Sequence, residues 1–159
     1  MGDVLKGVVA VCLGRWLFGH LPADAAVSPY LGVYLAAILA VVGPLPSPIY
    51  FGFKGGKGVL VAGGAILAIQ PILLPVLTVV FLLCLVPTGM VSLGSIAMAA
   101  SYPVLTLIYG LLKGFAVGDL IVCVVGAAIM GGMVIWMHRA NIQRIREGKE
   151  YRFGSRHKQ

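Results

Sequence analysis

The feature that most constrains this chain is the absence of any charged side chain from Gly58 to Leu112. About 20 apolar residues suffice for one helical crossing of a bilayer, so this run is long enough for more than one. Backbone polar groups in hydrocarbon must be hydrogen-bonded internally, which favours helices, and the period-2 alternation of a membrane barrel is absent. Only 11% of the residues are charged, against about 25% in ordinary soluble domains. The sequence therefore predicts an all-α, polytopic membrane helix bundle, with residues 1–159 as a single integral membrane domain.

The apolar runs number about six and are separated by prolines, glycines or charges. They cover Val4–Leu21, Tyr30–Val42, Val59–Ile69, Ile72–Val86, a run that ends at Leu112 with a kink expected at Pro103, and Leu120–Met137. The third and fourth runs are short, so a hairpin or a re-entrant pair stays open beside two full crossings. Glycine recurs at Gly110, Gly114 and Gly118, and this spacing predicts a face where helices pack closely.

The net charge of +7 comes mainly from lysines and arginines placed in two segments. Lys54 and Lys57 lie in one loop, and the other segment begins at Arg139. With six crossings, both segments, Lys6 and Thr88–Ser95 lie on the same membrane face, which the excess of Lys and Arg marks as cytoplasmic. No soluble basic domain is present to bind nucleic acid. The three cysteines lie in separate apolar segments without metal-ligand spacing, so we expect neither a metal nor a cofactor.

The stretch "FGFKGGKGV" from Phe51 to Val59 combines cations with glycines. Glycine lets backbone N–H groups approach an anion, lysine adds positive charge, and the N-terminus of a following helix favours anions. Lys54, Gly55, Gly56 and Lys57 are therefore candidate phosphate-binding residues. The stretch lacks the spacing of a Walker loop. A flexible loop whose lysines only set the membrane topology remains the alternative.

The segment "HRANIQRIREGKE" begins directly after the last apolar run. If the helix continues past Met137, His138 and Asn141 share one face, and Arg144 lies near it. A histidine can act as a general base, an asparagine can orient a hydroxyl, and an arginine can bind phosphate through two hydrogen bonds. The alternative is a basic helix attracted to anionic lipid.

Two further polar pairs are candidates for the same face. Ser92 and Ser95 can donate hydrogen bonds to phosphate oxygens, although serines in membrane helices more often bond to their own helix. Asp3 and Lys6 have the spacing of an ion pair at a helix end.

In this order, "DVLKG", "YFGFKGGKGV", "VSLGSIAMAASYP" and "HRANIQRIREGKE" resemble the acyl-phosphate-dependent glycerol-3-phosphate acyltransferases of bacterial membranes. The resemblance implies acyl transfer from a fatty acyl phosphate to glycerol 3-phosphate, giving lysophosphatidic acid for phospholipid biosynthesis. It implies a multi-pass protein of the bacterial inner (plasma) membrane, in contact with membrane lipids, with its active face cytoplasmic. The residue roles that follow from the residues and the resemblance together are catalysis by His138 and Asn141, phosphate binding by Lys54, Gly55, Gly56, Lys57, Ser92, Ser95 and Arg144, and support by Asp3, Lys6 and Glu150. His138 and Asn141 orient the glycerol hydroxyl, and its proton goes either to His138 or to a substrate phosphate.

This sequence departs from the family pattern near its start. Family members begin with a further helix and a loop of the form GSGNxGAxN, and nothing here matches either. The family also carries a histidine before its lysine loop, where this chain has Pro44 or Leu45. These departures predict membrane insertion with little acyl transfer, and they keep an inactive remnant as an alternative. A small transport or assembly protein is the other alternative, although most ionisable residues lie at helix ends and Arg15 is the chief exception.

Overall fold

The structure is a computed structural model that describes residues 2–20, 28–42 and 59–152. The described part contains seven α-helices and no strand. They are α1 (Gly2–Gly19), α2 (Pro29–Val42), α3 (Val59–Ile69), α4 (Leu73–Thr88), α5 (Val91–Leu112), α6 (Val117–Met137) and α7 (Arg139–Arg146). The six apolar runs thus correspond to α1–α6, and the all-α prediction is confirmed.

The surface of the bundle is apolar in the way that a membrane requires. Large hydrophobic side chains are exposed on every helix from α1 to α6, with Leu112 at 81% and Val86 at 79%. Helices α5 and α6 are each long and apolar enough to cross a membrane, whereas α2, α3 and α4 are shorter apolar helices. Trp16 and Trp136 lie near the C-terminal ends of α1 and α6, where the tryptophans of an interfacial belt are expected.

Specific contacts establish which helix ends lie together. Gly14 of α1 packs against Gly32 of α2, so the end of α1 lies beside the start of α2. The Ser28 hydroxyl donates to Asp119 Oδ1 over 2.6 Å, which joins the starts of α2 and α6. Ser92, in the first turn of α5, contacts Asn141 of α7. The starts of α1 and α5 therefore lie at the same end of the bundle as α7, as the alternation of apolar runs predicts.

The short helices α3 and α4 pack mainly on other helices. Helix α3 lies against α1, and α4 lies against α5. The connection between them passes through Gln70, which is buried, and Pro71, which is exposed. A tightly packed hairpin of α3 and α4 is therefore wrong. Arg15 of α1 donates from Nη2 to the Ala68 carbonyl over 3.0 Å, so this cation pairs with the C-terminal end of α3.

Glycine allows the backbones of α1 and α3 to touch. A Cβ atom at Gly64 would collide with the Val4 carbonyl, and one at Gly7 would collide with the Val61 carbonyl. The predicted glycine face at Gly110, Gly114 and Gly118 is wrong in part. Gly110 packs under Leu120, but Gly114 has φ +66° and ends α5, and nothing lies within 4 Å of a Cβ at Gly118.

Helix α5 continues through Pro103. Proline has no N–H, so the Ala99 carbonyl loses its partner in the next turn. Gly131 of α6 packs directly on that carbonyl, and a Cβ there would collide with it. Helices α5 and α6 therefore approach closely where Pro103 removes one backbone hydrogen bond from α5 and where Gly131 has no side chain on α6.

Candidate functional site

Helices α6 and α7 meet at His138, and this junction orients the histidine. The His138 N–H donates to the carbonyls of Val134 and Ile135, and the Ile142 N–H donates to the His138 carbonyl over 2.9 Å. The turn at His138 therefore separates α6 from α7, although backbone hydrogen bonds of the helical type continue through this residue. His138 and Asn141 are 5% and 7% exposed, whereas Arg139 between them is exposed, so both face the interior.

A hydrogen bond sets the tautomer of His138. Its Nδ1 lies 2.7 Å from the Val134 carbonyl oxygen. A carbonyl oxygen only accepts, so Nδ1 carries the proton and donates. In the neutral imidazole the lone pair then lies on Nε2.

Gly148 ends α7 and turns the chain back on itself. Its φ of +69° is in the left-handed region that glycine adopts without strain. The Gly148 N–H donates to the Ile145 carbonyl over 3.1 Å, and the Lys149 N–H donates to the Arg144 carbonyl over 2.8 Å. This pair of bonds is a Schellman motif. Its consequence is that Glu150 returns to the inner side of α7.

Glu150 is the centre of a group that we call the Glu150 cluster, formed with Ser92, Asn141 and Arg144. Its Oε1 accepts from the Ser92 hydroxyl over 2.5 Å and from Asn141 Nδ2 over 2.8 Å. Its Oε2 accepts from Arg144 Nε over 2.8 Å. Asn141 Nδ2 also donates to the Ser92 hydroxyl oxygen over 2.7 Å. The cluster thus ties the first turn of α5 to α7 and to the segment after it.

The electrostatics of the cluster favour a carboxylate. Burial raises the pKa of Glu150, but the hydrogen bonds from Ser92, Asn141 and Arg144 and the positive charge of Arg144 lower it more. The net pKa of Glu150 therefore lies below its ordinary value. The Glu150 side chain is 5% exposed and that of Arg144 is 46% exposed. The carboxylate of this ion pair is therefore buried, whereas the arginine side chain is partly exposed.

The hydrogen bonds of the cluster decide which atoms can meet a ligand. The Ser92 proton is committed to Glu150, so Ser92 in this arrangement holds the carboxylate rather than donating to a phosphate. Asn141 donates from its amide nitrogen within the cluster, and its Oδ1 is a hydrogen-bond acceptor by its chemistry. Arg144 contacts Glu150 through Nε, and its half-exposed guanidinium also carries the terminal N–H groups that can bind an anion.

Other predicted site residues lie apart from the cluster. The Ser95 hydroxyl donates to the Val91 carbonyl of its own helix over 3.1 Å, which is the alternative that its sequence context left open. Lys6 forms an ion pair with Asp3 over 3.2 Å in the first turns of α1, as their spacing predicts. Lys54, Gly55, Gly56 and Lys57 lie outside the described residues.

An apolar cleft opens between α3, α5 and α6. It is lined by Val59, Ala62, Ile66, Met98, Ala99, Tyr102, Met130, Gly131 and Val134. Val59 directly follows the glycine–lysine stretch, and Val134 is the residue whose carbonyl holds His138. The cleft therefore begins beside the polar segments and continues into the bundle.

Sequence reasoning missed the cleft and the turn at Gly148. The cleft has no sequence signal, because its walls are ordinary apolar residues from three separate helices. Gly148 did have one, since a glycine after a basic last helical turn is a usual helix stop. Within residues 2–20, 28–42 and 59–152, no group of three His, Cys, Asp or Glu side chains is arranged to hold a metal ion.

Known proteins are similar to this chain along nearly its whole length. A family model described as glycerol-3-phosphate acyltransferase matches residues 1–148. A glycerol-3-phosphate acyltransferase of Syntrophomonas wolfei is 35% identical over 150 residues, which are 94% of this chain and 67% of that protein. One from Paraburkholderia phymatum is 37% identical over 158 residues, 99% of this chain and 69% of its own. One from Synechococcus elongatus is 38% identical over 154 residues, 97% of this chain and 69% of its own.

The fold also resembles a solved structure. The crystal structure of PlsY (YgiH), an integral membrane glycerol 3-phosphate acyltransferase in its lysophosphatidic acid form, aligns with a TM-score of 0.52 at 24% identity. The alignment covers 98% of this chain and 97% of that one. At this identity the likeness is one of fold, and it agrees with a membrane helix bundle. Because the family model spans nearly the whole sequence and relatives more than 30% identical align along it, this chain belongs to the glycerol-3-phosphate acyltransferase family.

Proposed function

We propose that this chain transfers an acyl group from a fatty acyl phosphate to a hydroxyl of glycerol 3-phosphate, giving lysophosphatidic acid and inorganic phosphate. The observation that carries the proposal is the Glu150 cluster beside His138, at the end of the bundle where the apolar cleft begins. A polar site that meets an apolar cleft suits a reaction between a polar acceptor and a lipid-tailed donor. Family membership supports the same reaction.

The chemistry needs positioning rather than a covalent intermediate. An acyl phosphate is a mixed anhydride, so the glycerol hydroxyl can attack its carbonyl carbon directly. A carbon–oxygen bond to glycerol forms, the bond to the phosphate oxygen breaks, and the hydroxyl proton leaves with a base. His138 Nε2 is that base in our proposal, since Val134 holds the proton on Nδ1. Asn141 Oδ1 accepts from the attacking hydroxyl and orients it.

The phosphates are held by cations and backbone donors. Lys54 and Lys57 supply positive charge, and Gly55 and Gly56 supply N–H groups. Arg144, which lies in α7, adds the planar N–H donors of its guanidinium group. Ser92 and Glu150 act as positioning residues, because they hold Asn141 and Arg144 in place. Placement on the cytoplasmic face of a bacterial inner membrane follows from the excess of Lys and Arg at this end of the bundle.

The test is an acyl-transfer assay with radiolabelled glycerol 3-phosphate and palmitoyl phosphate in membranes that contain the chain. Asn141→Ala removes a contact to the reacting hydroxyl, and we expect turnover to fall at least about tenfold. Lys57→Ala removes a charge-assisted contact to phosphate, and we expect kcat/KM to fall about 10–150-fold. The matched control is Gln143→Ala, because Gln143 is exposed on the same helix and its side chain donates to Glu147, which is not part of the Glu150 cluster.

Two results would contradict the proposal. One is equal turnover in Asn141→Ala and Gln143→Ala at matched protein levels. The other is no turnover with any acyl phosphate together with solute flux across sealed vesicles, which would indicate a transport protein.

A further inference from the structure

The apolar cleft stops at a group of hydrogen-bonded polar side chains inside the bundle. We call this group the polar floor and define it as Tyr34, Tyr102, Thr106 and Gln70. The hydroxyls of Tyr34 and Tyr102 are 3.3 Å apart and hydrogen-bonded. The Thr106 hydroxyl donates to Gln70 Oε1 over 3.5 Å. All four residues are buried, with exposures of 3% or less.

Tyr102 belongs to both features. Its ring lines the cleft, and its hydroxyl belongs to the polar floor. Thr106 follows it by one helical turn on α5, on the side away from the start of the helix. The cleft side chains on α3 run from Val59 to Ile66, and Gln70 follows one turn later. The floor therefore lies beyond the cleft on both helices.

The floor resists displacement by hydrocarbon. Gln70 is 3% exposed, and its Nε2 has no hydrogen-bond partner in the described part of the chain. An apolar chain pushed past Tyr102 would separate the hydrogen-bonded hydroxyls of Tyr34 and Tyr102 and would offer neither of them a new partner, which is unfavourable. Tyr34 cannot easily move aside, because its ring packs into the space left by Gly126.

The length of the cleft along α3 corresponds to part of a fatty acyl chain. Val59 and Ile66 are seven residues apart, which is about 10 Å along a helix at 1.5 Å per residue. Half of the hydrocarbon core of a bilayer is about 15 Å thick. A tail that enters beside Val59 and Val134 therefore meets Tyr102 before it reaches the middle of such a core.

Resting on the proposed function, we infer that the donor's acyl chain lies in the apolar cleft with its methyl end against Tyr102, and that the polar floor sets the acyl chain length that this chain accepts. The occupant is the hydrocarbon tail of the acyl phosphate, because the walls are apolar and the cleft begins where the phosphate-binding and proton-accepting groups lie. Tyr102 is then a specificity-determining residue. Ala99, which is small and lies beside it on the cleft wall, sets the width.

Two substitutions should move the preference in opposite directions. Tyr102→Ala deepens the cleft, and we expect the preferred acyl phosphate to lengthen by about two carbons. Ala99→Leu fills the cleft, and we expect the preference to shorten. Each methylene gained or lost in an apolar site changes relative kcat/KM by about fourfold, so a two-carbon shift changes the ratio by about fifteenfold. Ile108→Ala is the matched control, because Ile108 lies on the same helix and is exposed at the lipid-facing surface.

Binding separates this inference from the proposed reaction. Alkyl phosphates with tails of graded length carry the headgroup and the hydrocarbon but no acyl carbon to transfer. Their stabilisation of purified protein against heat should peak at one length in the unmodified chain and in Ile108→Ala, at a longer one in Tyr102→Ala and at a shorter one in Ala99→Leu. If Tyr102→Ala does not fold, the shift in Ala99→Leu remains a full test.

The outcomes are distinct. Opposite shifts of the binding optimum support the inference, whether or not acyl transfer is seen. A binding optimum with no turnover on any acyl phosphate contradicts the proposed function alone. Length profiles that stay the same in Tyr102→Ala and Ala99→Leu, or no stabilisation by alkyl phosphates of any length, overturn the inference.

Discussion

Glu150 connects the candidate site to the fold, since it accepts hydrogen bonds from Ser92, Asn141 and Arg144. Its pKa is lowered in the folded chain, so the folded state favours the carboxylate. The stabilisation from this carboxylate is fully present above the pKa that glutamate has in the unfolded chain, about 4.3, and is lost as the pH falls through the lower folded value. The cluster therefore stabilises the protein at neutral pH and weakens in acid.

We expect Glu150→Gln to destabilise the purified protein at pH 7 by about 2 kcal/mol, because charge-assisted hydrogen bonds become neutral ones. The measurement is the thermal unfolding midpoint in detergent from pH 7 to pH 3. The gap between the two proteins should begin to narrow below about pH 4.3, the ordinary pKa of glutamate in an unfolded chain, and should be lost as the pH falls through the lower pKa of Glu150 in the folded protein.

The control for this substitution is Glu147→Gln. Glu147 is bonded to exposed partners, Gln143 and Lys149, and exposed ion pairs contribute about 0–1 kcal/mol. A gap between Glu150→Gln and the unmodified protein that is the same at every pH would show that burial alone, and not the charge, accounts for the effect.

Among the secondary-structure elements, the contact of α1 with α3 depends most directly on glycine. Gly64 faces the Val4 carbonyl, whereas a Cβ at Gly63 would meet nothing within 4 Å. We expect Gly64→Ala to destabilise by about 1–3 kcal/mol, because the two helices must separate. Gly63→Ala should be neutral or stabilising by up to about 1 kcal/mol, because alanine is the better helix former. Thermal unfolding of the two variants side by side is the measurement, and equal midpoints would contradict the packing.

The whole molecule presents one end to each side of the membrane. The contacts Gly14–Gly32, Ser28–Asp119 and Ser92–Asn141 put the starts of α1 and α5 with α7, and the ends of α1 and α5 opposite them. Most lysines and arginines of the described part lie at the first of these ends, among them Lys6, Arg139, Arg144, Arg146, Lys149 and Arg152. The positive-inside rule then favours that end as cytoplasmic.

This topology predicts which engineered cysteines an impermeant thiol reagent can reach in intact cells. In a background without native cysteines, Lys6→Cys and Gln143→Cys should react only after the cells are opened. His20→Cys and Lys113→Cys, at the opposite end, should react from outside. Labelling of Lys6→Cys and Lys113→Cys from the same side would contradict the arrangement.

Much of the architecture follows from local properties of the chain. A helix forms wherever an apolar run is long and free of breakers, so Val59–Ile69 was predicted with the bounds of α3, and the last apolar run was predicted to its end at Met137. Proline predicted the helix ends less well, because α4 includes Pro87 and α5 continues through Pro103. The family resemblance was also readable, because it depends on short motifs of neighbouring residues.

The chain by itself determined the helices, their alternation across the membrane, the family, and the candidate polar residues. Only the tertiary structure decided what those residues contact. Ser92 and Glu150 are 58 positions apart, and their hydrogen bond requires both the packing of α5 beside α6 and the left-handed turn at Gly148. The apolar cleft and the polar floor likewise combine residues from separate helices. Spacing within one helix specifies a shared face, but contacts between distant segments depend on how whole helices pack, and no local pattern records that packing.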